Sequence, residues 1–227
     1  MIPSPENPLV VALDVSDLER AESLARAVGP AAAMVKVGLE LFTAHGPGSV
    51  VRIQSIAPVF LDLKLHDIPT TVERAARNAA RLGVAMLTVH AMGGEAMMAA
   101  AVRGATQGSE EAGRPSPAVA AVTVLSSLSG ESLASPGSLA FEARAAGAAG
   151  AVVSGEDVAV VREVTGEEFC LIVPGIRPAG SNGHDQLRIL TPEEALAAGA
   201  DYLVIGRPIT EANDPAGAAR SILATIR

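Results

Sequence analysis

A carboxylate and an ammonium stand two residues apart in Asp62-Leu63-Lys64-Leu65-His66-Asp67-Ile68-Pro69-Thr70-Thr71, and a second carboxylate follows at Asp67. In an extended strand Asp62 and Lys64 share one face. Burying two such charges is costly unless they are paired. Lys36, in Met34-Val35-Lys36-Val37-Gly38, supplies a partner if its strand lies alongside, giving an alternating array of Lys36, Asp62, Lys64 and Asp67. An ammonium fixed in such an array can stabilise developing negative charge and hand over a proton. The same pattern also fits a structural ion-pair network. A second signal comes from Arg177, in Pro174-Gly175-Ile176-Arg177, and Arg207, in Gly206-Arg207-Pro208. Each reads either as an ordinary rim arginine or as an anion contact, with Gly206 letting backbone N–H groups come close to an oxyanion.

The elements that position these groups alternate in period. Strand-type runs fall at Leu9–Val15, Met34–Gly38, Val59–Leu65, Ala85–His90, Val119–Leu125, Gly150–Ser154, Phe169–Val173 and Tyr202–Ile205. Helical periodicity falls between them at Asp17–Val28, Gly48–Ala57, Thr70–Leu82, Glu95–Thr106, Ser138–Ala146, Asp157–Val164, Thr191–Ala198 and Pro215–Ile226. Thr70 and Glu73 have capping-box spacing, and the polar stretch Gly108–Pro117 reads as a surface loop. Eight β-α units without a linker predict one α/β domain over residues 1–227, a single (β/α)8 TIM barrel. A doubly wound open sheet fits less well, because no G-x-G-x-x-G follows the first strand. Strand parity agrees with a barrel. Phe60, Asp62 and Lys64 share a face directed inward, as do Met34, Lys36 and Gly38, while Val59, Leu61, Leu63 and Leu65 face the helices. Asp14 ends the first strand, and barrel enzymes keep their active sites at strand C-termini.

Composition narrows the function classes. At 49% hydrophobic and 19% charged, the chain can bury a large core. Aromatic residues make up 2%, too few for a sugar-stacking or single-strand nucleic-acid platform. A net charge of −8 argues against broad attraction to nucleic acid or an anionic membrane, though an anionic small molecule needs only a few local cations. Cys170 stands alone, which excludes an internal disulfide, and it reads as an inert core thiol. No His, Asp and Glu set has metal-ligand spacing, so no metal is expected. The N-terminal residues lack a signal-peptide pattern and no apolar run reaches a membrane span, so a cytoplasmic protein is expected. His66 reads as structural and His90 as packed or hydrogen-bonded at the end of its strand, while His45 and His184 read as exposed.

The decapeptide Asp62–Thr71 resembles the signature of orotidine 5′-phosphate decarboxylases of the bacterial type. Ala12-Leu13-Asp14, Val35-Lys36-Val37-Gly38, Val89-His90-Ala91, Pro174-Gly175-Ile176-Arg177 and Val204-Ile205-Gly206-Arg207-Pro208-Ile209-Thr210 follow in the family's order, so the resemblance runs from residue 9 to residue 215. It implies a cofactor-free decarboxylase that converts orotidine 5′-phosphate to UMP and CO2 in pyrimidine synthesis. It implies that Lys64 protonates C6 of the pyrimidine, that Asp62 sits beside the departing carboxylate, and that Lys36 binds the ribose and holds Asp62. Asp14 is implied as a ribose contact and Ser126 as a pyrimidine contact. Pro174 falls among the substrate contacts, and Arg177, Gln186, Gly206 and Arg207 among the phosphate contacts. Asp67, Ile68 and Thr71 are implied to reach the active site of a partner subunit, so that a homodimer has shared sites.

Two segments and two rivals qualify that expectation. Residues 179–188 read as a polar loop suited to gripping phosphate, and Ser127–Gly137, rich in Ser, Gly and Pro, is short for the family. A metal-dependent sugar-phosphate decarboxylase, aldolase or epimerase of the same superfamily would need an acidic ligand, often a Glu on the second strand, where this chain has Val35-Lys36-Val37. A non-catalytic nucleotide binder would gain nothing from Asp62 facing an anionic ligand.

Overall fold

The computed structural model describes residues 6–124, 135–178 and 190–226. β1 (Leu9–Ala12) leads to α1 (Leu18–Val28), which is capped by the Asp17 side chain accepting the Arg20 N–H at 2.7 Å. Ala21, Leu24, Ala25 and Val28 form the buried face of α1. β2 (Met34–Gly38) continues into α2 (Leu39–His45), which the periodicity does not predict, and α3 (Pro47–Gln54), which it does. Gly46, at φ 61°, separates the two helices, and Pro47 starts the second.

β3 (Val59–Leu65) is followed by α4 (Pro69–Arg81). The expected capping box at Thr70 does not form. Pro69 takes the first helical position, which moves the N-cap to Ile68 and leaves no side-chain cap. β4 (Met86–His90) passes through a short 3-10 turn into α5 (Gly94–Ala112). This helix runs six residues beyond the expected Thr106 and takes in part of the expected loop, ending at Gly113 in the left-handed region. Gly104 and Gly108 permit the extension. A Cβ at either would stand 2.1 Å from the Glu73 or Arg77 carbonyl oxygen of α4, so the two helices pack backbone to backbone.

β5 (Ala118–Val122) stops before the expected Leu125, and α6 (Pro136–Ala145) starts on a Ser135 cap. Then come β6 (Gly150–Val152), α7 (Val158–Thr165), β7 (Cys170–Pro174) and α8 (Pro192–Ala197), the last with a complete Thr191–Glu194 capping box. β8 (Tyr202–Ile205) is followed by a single helical turn, α9 (Arg207–Thr210), and then by α10 (Pro215–Thr225).

The eight strands are parallel and close into a barrel in chain order, with β1 pairing both β2 and β8. The (β/α)8 expectation is met. Val10, Met34, Phe60, Met86, Ile172, Tyr202 and Val204 fill the barrel interior. Their neighbours Val11, Val35, Leu61, Leu87, Leu171 and Leu203 pack outward against the helices, as period-2 alternation requires. Cys170 is buried in the interior set, and burial together with the Asp201 charge pushes its thiol pKa up, which keeps it protonated and inert.

The strand N-terminal end is tied by a half-buried ion pair. Arg162 of α7 meets Asp201 at 2.7 Å and also donates to the Gly199 and Phe169 carbonyls, while Asp201 accepts the Leu171 N–H. Among the described residues no helix is long and apolar enough to cross a membrane.

Candidate active site

At the opposite end of the barrel, the register Lys36↔Phe60 and Gly38↔Asp62 sets β2 and β3 so that Lys36 lies beside Asp62. Lys36 Nζ is 3.5 Å from Asp62 Oδ2 and 2.7 Å from Asp14 Oδ1 at the end of β1. Gly38 leaves room for this contact, since a Cβ there would stand 3.0 Å from both the Asp14 oxygen and the Lys36 nitrogen.

Lys64 reaches the same carboxylate by an irregular path. Leu61 pairs with Leu87 and Leu65 with Val89, so β3 advances four residues while β4 advances two. Within this bulge Lys64 adopts φ 51°, the one positive φ at a non-glycine among the described residues. An L-residue there is strained by about 1–2 kcal/mol and persists only where its surroundings hold it. Here the Lys64 N–H donates to Thr88 Oγ1 at 2.8 Å. Its Nζ donates to both Asp62 oxygens, at 2.8 and 2.9 Å. Thr88 Oγ1 lies 3.0 Å from Asp62 Oδ1.

Asp62 is thus held on two sides by ammonium groups. Burial penalises its charge most strongly of any single influence, but the combined fields of Lys36 and Lys64 and the bonds from Lys64 and Thr88 win. The carboxyl stays below the ordinary carboxylate range. Within one chain the array therefore runs Asp14–Lys36–Asp62–Lys64. Asp67 does not join it: its carboxylate accepts the Ile68 N–H at 2.7 Å, and Asp67, Ile68 and Thr71 lie exposed on the rim beyond β3.

Two cavities meet at the array. A larger one of about 670 Å³ is lined by Asp14, Lys36, Asp62, Pro174, Arg177, Gly206 and Arg207. A smaller one of about 150 Å³ shares Lys36, Asp62 and Pro174, adds Lys64 and Ser154, and is otherwise walled by Phe60, Val122, Val124, Val152, Val153 and Val204. The first offers guanidinium groups beside the one-turn helix α9, a position after the last strands where barrels commonly take phosphate. The second has the apolar walls that suit a flat ring. Arg177 is buried and its backbone N–H donates to the Leu190 carbonyl, whereas Arg207 is exposed. Ser126, Gln186 and most of both loops singled out in the sequence lie outside the described residues.

Two cavity-side residues and one residue bonded to the array escape the sequence reading. Arg20 of α1 lines the larger cavity and donates to the Thr210 carbonyl at 3.3 Å. Ser154 follows β6 into the smaller one. Thr88 lies in the inward phase Met86, Thr88, His90, and the parity applied to β3 would find it. His90 stacks on His66 with ring centroids 5.4 Å apart. Burial first, then the His66 and Lys64 charges, lower the His90 pKa. His45 is exposed, its Nε2 within 2.8 Å of the Ser16 carbonyl. Among the described residues no three His, Cys, Asp or Glu side chains are grouped to hold a metal.

Known proteins resemble this chain over nearly its whole length. Residues 7–222 match the model of the family described as orotidine 5′-phosphate decarboxylase / HUMPS. The chain is 49% identical to orotidine 5′-phosphate decarboxylase of Moorella thermoacetica, over 96% of this chain and 91% of the relative. It is 50% identical to that of Anaeromyxobacter sp. strain K, over 97% and 98%. The crystal structure of orotidine 5′-phosphate decarboxylase from Lactobacillus acidophilus superimposes with TM-score 0.85 at 35% identity, covering 98% of this chain and all of that one. With the family match spanning the barrel and the charged array alike, the chain belongs to the orotidine 5′-phosphate decarboxylase family.

Proposed function

We propose that this protein is a carboxy-lyase of pyrimidine biosynthesis that decarboxylates orotidine 5′-phosphate to UMP and CO2 without a cofactor. The observation that carries the reading is Asp62 gripped by Lys36 and Lys64 where two cavities join, one with guanidinium groups and one apolar. Phosphate binds toward Arg207, Arg177 and Gly206, with Gln186 as a further proposed phosphate contact. The ribose meets Asp14 and Lys36, and the pyrimidine enters the apolar cavity, with Ser126 as a proposed contact.

The bond from C6 to the carboxylate then breaks, CO2 leaves, and the electron pair stays on C6. The Lys64 ammonium stabilises that carbanion and delivers its proton to C6, after which solvent reprotonates the amine. Asp62 fixes the ammonium and disfavours the substrate carboxylate more than the neutral product. The remote phosphate contacts supply the binding energy that holds the reacting carbon at this array.

The active unit is a cytoplasmic homodimer in which Asp67, Ile68 and Thr71 of each chain complete the partner's site. The exposed position of these residues, and the exposed apolar side chains Leu39, Ile68 and Met92 after β2, β3 and β4, support that reading.

Loss of pyrimidine absorbance when purified protein meets orotidine 5′-phosphate tests the activity, and it should persist after exhaustive chelation. No loss at saturating substrate sinks the reading. Activity abolished by EDTA and restored by Mg2+ favours the sugar-phosphate rival instead.

A further inference from the structure

Thr88 is 1% exposed in the middle of β4, and its hydroxyl joins the two groups on which the decarboxylase reading depends. A backbone N–H can only donate, so Thr88 Oγ1 accepts from the Lys64 N–H at 2.8 Å. An ionised carboxylate can only accept, so the single hydroxyl proton goes to Asp62 Oδ1 at 3.0 Å. Both bonds have one permitted direction, and together they leave the hydroxyl no freedom to rotate.

The first bond anchors Lys64 where its backbone is least comfortable, at φ 51° inside the β3 bulge. The second orients the carboxylate that receives the Lys64 ammonium on both of its oxygens. We infer that Thr88 is a positioning residue for proton delivery, fixing the backbone of Lys64 and the carboxylate of Asp62 so that the ammonium is aimed at the reacting carbon. This inference rests on the proposed decarboxylation. It assigns Thr88 no contact with substrate, so its effect falls on turnover and not on binding.

The test compares wild type with Thr88→Val, which keeps the shape and loses the hydroxyl, and Thr88→Ser, which keeps the hydroxyl. Turnover is expressed per UMP-binding site, counted by titration, so that any misfolded fraction cancels. Thr88→Val should lower kcat by roughly ten- to a hundredfold, the scale of a small misplacement of a reacting group. Its Kd for UMP should stay within about twofold of wild type, since product binding does not use the aim of the proton. Thr88→Ser should recover most of the lost kcat.

Wild-type turnover in Thr88→Val, equal damage in Thr88→Ser, or loss of UMP binding in step with kcat would each overturn the role of Thr88 while leaving the decarboxylase reading intact. A wild type inert toward orotidine 5′-phosphate would overturn both.

Discussion

Asp62 is the residue on which chemistry and stability converge. Its carboxylate is buried, yet it is worth keeping ionised because two ammonium groups and a hydroxyl address it at once. A carboxyl whose pKa is lower in the folded chain than in the unfolded chain contributes stability above its ordinary pKa and loses it as pH falls through the folded value. Thermal melting temperature should therefore drop on acidification below about pH 4. In Asp62→Asn that acid slope should be shallower, because the group that takes up the proton is gone. Superimposable slopes for the two proteins would mean that Asp62 does not couple proton uptake to unfolding. His90 works in the same direction at higher pH. With its imidazole depressed by burial and neighbouring charge, protonation favours the unfolded chain and erodes stability as pH falls through the ordinary histidine range.

At the scale of elements, the barrel divides its ionic groups between two ends. The Arg162–Asp201 pair ties α7 to the strand starts, far along the strands from the Lys36–Asp62–Lys64 array. Arg162→Leu leaves the half-buried Asp201 without its cation and should cost about 1–3 kcal/mol in urea unfolding, with turnover per folded molecule unchanged. A loss under about 1 kcal/mol would class the pair with solvent-exposed ones. Periodicity made the barrel legible, because eight alternations of apolar period leave few other architectures. Parity made Lys36, Asp62 and Lys64 legible. Three elements were not. The extension of α5 past Thr106 hides in the stretch that begins at Gly108, which reads as a surface loop until α4 is seen lying 2.1 Å from where the Gly108 Cβ would be. The β3 bulge hides because a lysine, not a glycine, occupies its left-handed position. The short helix α2 lies between two glycines in a stretch too brief to show a period. Thr88 and Arg20 were missed for a different reason: each is a single polar residue on an otherwise ordinary element, with no partner visible until β3 and α9 are in place.

The whole molecule sets the conditions under which the array can act. If Asp67 completes a neighbour's site, Lys64→Ala and Asp67→Ala chains mixed in equal amounts and allowed to exchange should recover roughly a quarter of wild-type activity. Half of the dimers are then mixed, and each of those has one intact site of two. No recovery after verified exchange would place both residues in one chain's site. Fold stability bears on the same lysine in another way. An L-residue at φ 51° is strained by about 1–2 kcal/mol, and glycine is not. Lys64→Gly should consequently melt about 2–8 °C above Lys64→Ala, the reverse of the order these two residues show in a helix. Equal melting temperatures would mean that the bulge relaxes once the lysine is gone. If glycine does melt higher, selection for heat tolerance alone, with no demand for turnover, would be free to discard the lysine, and a lysine at this disfavoured backbone angle is a thermal cost that the proposed proton delivery would account for.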